Sequence, residues 1–425
     1  MGCRKFSTVR NLNAEHRDII TYTGDNLVLS SEGKDFLEWF RGFTDAEGCF
    51  LVSANRGNSF TFKFKIKLHI DDLEVLNFIK ESLNIGKVIV SQSKPEATFE
   101  VNVHNEIAVI VAIFSKHNLN STKHLNFLDF SRAFLIYMEN NSREARSMVK
   151  DDISSIIGNM NSARSNFNLP EDHEIYITSY WLLGFVEGDG SFYYESHKNA
   201  LFLGIKQKGN KDLLVAIQNF FYDLASVKSS LNYNKESIIR IDLKEKGLFL
   251  LSVKGNDFID SVVIPLFDGI VWHSKKYLDY CDWKVILKIF KLGLHYLPEG
   301  KDLISRIISQ MNNNRLSTSE FPKIDRNLLL SEITNLLEDS SRSNNYEIKE
   351  GRIFIKSLGR YRTDTSPKAV QILEVSNGNV FYSFDSIAKL AKYLNVSYTT
   401  AHRRLSSGSS FSFEGNRVYI SKKEK

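Results

Sequence analysis

Four carboxylates, set in two short and nearly identical stretches, are the residues of this sequence best spaced to do chemistry. The first stretch is Trp39-Phe40-Arg41-Gly42-Phe43-Thr44-Asp45-Ala46-Glu47-Gly48-Cys49-Phe50. The second is Trp181-Leu182-Leu183-Gly184-Phe185-Val186-Glu187-Gly188-Asp189-Gly190-Ser191-Phe192. Both read aromatic, two residues, Gly-Phe, one residue, acid, small residue, acid, Gly, one residue, Phe. Repeats of long period define architecture, and the step from Glu47 to Asp189 is about 142 residues. Glu47 and Asp189 would each end a helix, where the macrodipole disfavours negative charge. Two adjacent carboxylates also raise one another's pKa. A divalent cation relieves both problems, and carboxylate, carbonyl and water ligands suit Mg²⁺. The spacing therefore predicts a metal site held by Glu47 and Asp189.

The elements that must position these acids are a pair of helices. Trp39, Phe40 and Phe43 form an apolar helical face, and Gly48 marks a helix end through its freedom to adopt a left-handed conformation. Gly42 with Ala46, and Gly184 with Gly188, lie four apart and leave a stripe almost without side chains. Glycine inside a helix costs roughly 1 kcal/mol relative to alanine, so the stripe needs a reason. Close backbone packing of one helix on the other supplies it and brings the two helix ends together.

The duplicated motif resembles the LAGLIDADG homing endonucleases in their two-motif, single-chain form, over about residues 35–318. The resemblance implies an α+β fold of two pseudo-symmetric αββαββα repeats whose antiparallel sheets bind DNA. It also implies catalytic metals on Glu47 and Asp189, with structural roles for Asp45 and Glu187. Lys123 and Lys276 match a lysine that lies near the cleaved phosphates, with Lys275 competing for the second place. Gln207 matches a residue that holds attacking water; its first-half equivalent is Leu68 or His69. The implied activity is a Mg²⁺-dependent staggered double-strand break in a long asymmetric DNA target, usually the intron-free allele of the host gene. The implied protein is a monomer bound to double-stranded DNA. The alternative is an RNA maturase that assists splicing of its own group I intron, with that RNA as partner.

At 425 residues, two or three domains are expected. The apolar fraction, 42%, is enough for real cores. Net charge is only +5 despite 55 basic residues, which permits a basic face without proving one. The three cysteines (Cys3, Cys49, Cys281) are scattered, suggesting neither a disulfide framework nor a zinc site. No apolar run reaches membrane-spanning length, and no apolar secretory core opens the chain. Abundant Asn, Lys, Ile, Phe and Tyr suit an AT-rich genome, so a mitochondrial, organelle-encoded protein is expected.

Along the chain, residues 1–34 read as a loosely docked arm, 35–165 as the first repeat and 166–318 as the second. Phe60, Phe62, Phe64, Ile66 and Leu68 alternate with Thr61, Lys63, Lys65, Lys67 and His69, the pattern of a half-buried strand. Its cationic face predicts phosphate and base-edge contacts in the major groove by Lys63, Lys65, Lys67 and His69. A lysine-rich solvent face that guards against aggregation is the other reading. Lys206, Lys208 and Arg240 are the corresponding second-half candidates. Further strands are expected near 86–90, 98–103, 190–196, 200–207, 226–232 and 237–243. Helices are expected near 71–80, 104–117, 122–140, 210–224, 245–254 and 274–292. Two echoes reinforce the alignment: Lys123-His124-Leu125 against Lys276-Tyr277-Leu278, and Met160-Asn161 with Arg164 against Met311-Asn312 with Arg315.

Residues 319–366 read as a linker with one helical stretch, Asn327 to Leu337. Residues 367–425 read as a separate unit: two strands, then helices opening at Ser383 and Tyr398 around Asn395-Val396-Ser397. That is a helix-turn-helix pattern, whose second helix could place Tyr398, Thr399, His402 and Arg403 in a major groove. In Phe384-x-Ser386-Ile387 and Leu394-Asn395-Val396-Ser397 the segment resembles the NUMOD1-like modules appended to intron-encoded nucleases.

Overall fold

The computed structural model describes residues 20–23, 26–29, 31–228, 238–339, 344–362 and 369–423. They fall into two compact units, one ending at Asn345 and the other beginning at Tyr346.

The first unit holds the duplication. A hairpin of β1 (Ile20–Thr23) and β2 (Asn26–Leu29) precedes α1 (Ser31–Glu47). The expected arm of residues 1–34 thus already contains paired strands and the start of α1; residues 1–19 lie outside the described residues. The chain continues as β3 (Gly48–Ala54), β4 (Phe60–His69), α2 (Leu73–Leu83), β5 (Lys87–Val90) and β6 (Glu96–Val101). Helices α3 (His104–Lys116), α4 (Lys123–Glu139), α5 (Arg143–Met148) and α6 (Lys150–Ile157) complete the first half.

The second half repeats the order. It runs α7 (Ser179–Asp189), β7 (Gly190–Glu195), β8 (Ala200–Lys208), α8 (Lys211–Lys228), β9 (Ile239–Glu245) and β10 (Leu248–Lys254). Then come α9 (Ile264–Asp268), α10 (Lys276–Lys291) and α11 (Pro298–Ile308). The two sheets have matching antiparallel orders, β3-β4-β6-β5 and β7-β8-β10-β9. Strand alternation gives each sheet a core face and an outward face. On β4, Phe62, Phe64 and Ile66 are fully buried while Lys63, Lys65 and Lys67 stand on the other side.

Two expected elements are corrected here. The strand near 226–232 does not begin as expected, because α8 continues through Lys228; residues 229–237 lie outside the described residues. The helix over 245–254 is β10, an inner strand between β8 and β9. Its run Leu248-Phe249-Leu250-Leu251 is apolar at every position, so periodicity could not separate strand from helix.

The expected linker 319–366 is divided between the two units: residues from Tyr346 open the second unit as paired strands, and the earlier part docks on the first. α12 (Arg326–Glu338), capped by the Asp325 side chain, buries Leu329, Ile333 and Leu336 in the core of the first unit. Their spacing is one face of a helix, and Arg326 pairs with Asp282 on α10 at 2.8 Å.

In the second unit, β11 (Tyr346–Lys349), β12 (Arg352–Ile355) and β13 (Arg360–Tyr361) form a small meander. Beyond it, β14 (Val370–Glu374), β15 (Val380–Phe384), α13 (Ile387–Tyr393), α14 (Tyr398–Ser407), β16 (Phe411–Phe413) and β17 (Asn416–Lys422) follow. Val370, Ile372, Leu390, Ala401, Val418 and Ile420 make its core. Ser386 and Ser397 cap the two helices, accepting from Lys389 N and Thr400 N.

Candidate active site

The motif helices α1 and α7 pack backbone to backbone. A Cβ on Gly42 would lie 2.8 Å from the Trp181 carbonyl carbon, and one on Gly184 would lie 3.0 Å from that of Trp39. No side chain fits at either place. Gly48 differs from the expectation, because its φ is not positive, and nor is that of its counterpart Gly190. Each helix instead turns straight into an extended strand, with Gly190 at φ −77°, ψ 152°. A Cβ there would strike the last helical turn, 2.7 Å from the Thr44 carbonyl oxygen at Gly48 and 2.6 Å from that of Val186 at Gly190.

The inner acids of the motifs act as braces. Asp45 accepts from the backbone N–H of Asn120 (2.9 Å) and Ser121 (2.8 Å), just before α4. Glu187 accepts from His273 N (2.8 Å), Ser274 N (2.6 Å) and the Ser274 hydroxyl (2.8 Å), just before α10. Each also takes the indole N–H of the opposite motif: Trp181 donates to Asp45 at 2.9 Å, and Trp39 to Glu187 at 2.5 Å. The halves are therefore tied crosswise. Burial pushes the Glu187 carboxyl up, against these hydrogen bonds.

A second crosswise tie was invisible in the sequence. Thr122 N, at the start of α4, donates to Asn210 of the other half at 2.8 Å. Lys275 N, at the start of α10, donates to Asp72 of the first half at 2.9 Å. A polar residue shortly after a central strand was the available signal, but only the fold says whose helix it caps.

These braces fix the lysines that begin α4 and α10. Lys123 donates to the Ala46 carbonyl, with the Thr44 carbonyl 3.4 Å away. Lys276 donates to the Gly190 carbonyl at 2.7 Å. Lys275 instead points its ammonium toward Asp71, 3.9 Å away, and stays exposed. Burial pushes Lys123 below the ordinary lysine value, opposed by the charges of Asp189 and Glu47.

The outer acids, Glu47 and Asp189, are both desolvated, and the charge of Glu47 acts on Asp189. Asp189 is pushed up to about 6, first by burial and then by the Glu47 charge. Glu47 is raised as well, by burial against Lys123 and Lys276. Gln207 donates to Asp189 at 2.6 Å and accepts from Asn210 at 3.0 Å. The β3–β4 and β7–β8 registers pair Gly48 with Ile66 and Gly190 with Ile205, so the first-half counterpart of Gln207 is Leu68. Leucine cannot donate, and the two half-sites are chemically unequal. Glu47, His69, Asp72, Lys275 and Lys276 line a cleft of about 630 Å³.

The donor set fits a hard cation. Two desolvated carboxylates lie beside backbone carbonyls that already hold the Lys123 ammonium, and oxygen-rich sites of this kind suit Mg²⁺ or Ca²⁺. Among the described residues no cluster of three or more His, Cys, Asp or Glu side chains forms a cage. Carbonyls and water would have to complete the coordination.

The outward-face candidates are placed as follows. Lys63 and Lys65 lie 3.7 and 3.0 Å from Glu100, and Lys67 lies 3.1 Å from Glu96. His69 is engaged at both nitrogens, with Thr318 at 3.0 Å and Asp71 at 3.3 Å. Lys206, Lys208 and Arg240 are exposed, Arg240 paired with Asp242 at 3.2 Å. Tyr398, Thr399, His402 and Arg403 share exposed positions on α14. The repeated Asn and Arg also gain a reason. Asn161 and Asn312, both at positive φ, donate to the Phe50 and Phe192 carbonyls at 2.9 Å. Arg164 pairs with Asp129 on α4, and Arg315 with Asp279 and Asp282 on α10.

Comparison with known proteins agrees with the two-repeat fold. The model of the LAGLIDADG endonuclease family matches residues 40–134 and 182–287. An uncharacterized mitochondrial protein, RF1 of Saccharomyces cerevisiae, is 22% identical over 95% of this chain and 88% of its own length. The probable intron-encoded endonuclease Cox1-I1b of Schizosaccharomyces pombe is 28% identical over 52% of this chain; the match spans 60% of that protein. Among solved structures, the LAGLIDADG homing endonuclease I-GzeII in complex with its DNA target is 27% identical, with TM-score 0.55, covering 65% of this chain and 99% of that one. I-SmaMI bound to uncleaved DNA in the presence of calcium ions is 23% identical, with TM-score 0.52, covering 65% and 98%. Among the described residues, no helix is long and apolar enough to cross a membrane.

Proposed function

We propose that this chain, which has the two-repeat LAGLIDADG homing endonuclease fold, is a site-specific DNA endonuclease. The observation that carries the reading is the convergence of Glu47 and Asp189, one from each repeat, at the foot of a helix pair that admits no side chain between its backbones.

Glu47 and Asp189 would hold divalent cations, Mg²⁺ in the cell. Bound there, the metal would lower the pKa of water and stabilise charge on phosphate oxygens. The chain's own residues do the positioning. Gln207 orients Asp189, and its remaining amide proton is available to a water on the second half-site. Lys123 and Lys276 place ammonium charge beside the two acids, where it would stabilise a pentacoordinate phosphate. Leu68 offers no such hydrogen bond, so the first half-site must position its water by other groups.

Two unequal sheets on one chain predict a long, asymmetric target, read by a monomer without the palindrome that a homodimer imposes. Lys63, Lys65, Lys67, Lys206, Lys208 and Arg240 are the groove-facing cations, with His69 at the strand end. α14, with Tyr398, Thr399, His402 and Arg403 exposed, would add contacts outside the central footprint in the manner of a NUMOD1-like helix-turn-helix module. The fungal relatives support a mitochondrial, intron-linked role, with the intron-free allele of the host gene as target.

The test is purified full-length chain with Mg²⁺ on the uninterrupted junction of its host gene. A staggered double-strand cut at one site is expected. Binding of the intron RNA with faster splicing, and no DNA cut, would replace this reading with that of a maturase.

A further inference from the structure

Two acids stand among the lysines on the outward face of the first sheet: Glu96 beside Lys67 at the strand end, and Glu100 within reach of three lysines. Glu100 on β6 is only 6% exposed. In register it lies directly across from Lys65 on β4 and Lys87 on β5. Its carboxylate is 3.0 Å from Lys65 Nζ, 3.7 Å from Lys63 and 3.9 Å from Lys87. Asn102 Nδ2 donates to its other oxygen at 2.9 Å. Burial pushes the Glu100 carboxyl up, but the Lys65 hydrogen bond and the three ammonium charges outweigh it and hold the group below its ordinary value.

Stability is a poor reason for this arrangement. The lysines keep about a third to a half of their surface in water, and exposed ion pairs add little to folding. For bulk attraction to DNA, the acid is a handicap, since it cancels one of three positive charges.

We propose that Glu100 sets target specificity, holding Lys63, Lys65 and Lys87 as a fixed array on the sheet that reads one half of the DNA. This rests on the endonuclease reading. An untethered lysine is a flexible point charge that finds a phosphate on any sequence. Tethered between strands, it keeps a direction and can present its protons to guanine O6 and N7. The fixed anion also repels phosphates that approach in a wrong register, so mismatched docking costs more.

The second sheet is an internal contrast. The same register puts Gly204 at the place of Lys65, Ser252 at that of Glu100 and Arg240 at that of Lys87. There Tyr193 stacks on Phe202 at 5.2 Å, and a Cβ on Gly204 would come within 2.9 Å of the Tyr193 ring. At the places of Lys65 and Glu100 that face carries no charge, and aromatic rings fill the space beside Gly204. Effects of Glu100 should therefore stay within one half of the target.

The experiment uses the full chain and a duplex selected by wild type from a randomised library. Wild type, Glu100→Gln and Glu100→Asp are titrated with that duplex, with random duplex of equal length, and with duplexes altered in either half, across a salt series. Glu100→Gln should bind random duplex several-fold more tightly with a steeper salt dependence. Its preference for the selected duplex should fall about tenfold, the size of a lost base contact, with the loss confined to one half. Glu100→Asp should retain most of the preference. An unchanged preference in Glu100→Gln overturns the proposal, and so does a loss spread evenly over both halves. Should Glu100→Gln fail to fold, Glu100→Ser, which copies the uncharged Ser252 of the second sheet, takes its part: preference must fall in one half only, and an unchanged preference or an even loss overturns the proposal. If wild type selects no duplex at all, the endonuclease reading falls first.

Discussion

Gly42 and Trp181 meet without an intervening side chain: a Cβ on Gly42 would stand 2.8 Å from the Trp181 carbonyl carbon. The counterpart contact, Gly184 on Trp39, makes the helix pair two-fold in character. Glu47 and Asp189 both hang from this contact. Adding one methyl at Gly42 forces the helices apart, and overpacking of a tight interior costs about 1–3 kcal/mol or more. Gly42→Ala should therefore lower the denaturant midpoint by at least that equivalent. Gly57→Ala is the control, since its Cβ meets nothing and only its positive φ is strained. Equal losses in the two variants would remove the helix contact from the account.

Glu187 shows what the braces are worth. Glu187→Ala strands the indole N–H of Trp39 and the backbone N–H groups of His273 and Ser274 in the core. Each unsatisfied buried donor costs roughly 1–3 kcal/mol, so a loss of several kcal/mol is expected in urea unfolding. Glu187→Gln keeps an acceptor and should lose markedly less.

His124 predicts an acid limb to stability. It is 4% exposed, its Nδ1 has no hydrogen-bond partner, and its ring packs at a tilt on that of His173, 4.5 Å away. Burial first, then the His173 charge, lowers it to about 4. The unfolded chain takes up this proton near pH 6.5 and the folded chain only near 4. Stability from this site is therefore complete above about 6.5, falls with pH, and is gone below about 4, a change on the order of 3 kcal/mol. His124→Phe should flatten that slope between pH 6.5 and 4 in chemical denaturation. A slope identical to wild type would show that His124 carries none of it.

Residues 346–425 form a unit with their own core. A chain ended at Asn345 should still cut the selected target in Mg²⁺ while protecting a shorter stretch of DNA. An unchanged footprint and affinity would leave α14 without a role in binding.

Much of the fold was legible because the duplication fixed it. The motif, its glycine stripe and the alternation of Phe62, Phe64 and Ile66 with lysines each carry a period that only one kind of element satisfies. β10 was misread because an unbroken apolar run has no period. The helix expected from Asn327 to Leu337 is present as α12, but its polar neighbours hide that it docks on the first unit through the face of Leu329, Ile333 and Leu336. Of the proposed site, Glu47 and Asp189 follow from the motif itself, while Gln207, Lys123 and Lys276 (with Lys275 as rival) follow only from the family resemblance. The structure sets Gln207 on Asp189, Lys123 on the Ala46 carbonyl and Lys276 on the Gly190 carbonyl. The crosswise caps by Asp72 and Asn210 could not be named from the sequence, because each joins groups in different halves, 203 and 88 residues apart. Glu100 was hidden for a related reason. Its three lysines come from two other strands, so only the sheet register brings them together.

The most direct measurement compares wild type, Glu47→Gln and Asp189→Asn on the same labelled duplex, scoring binding and cleavage separately with and without Mg²⁺. All three should bind, wild type should cut both strands only with metal, and neither variant should make the double-strand break. A variant that still breaks both strands at the wild-type rate would contradict it.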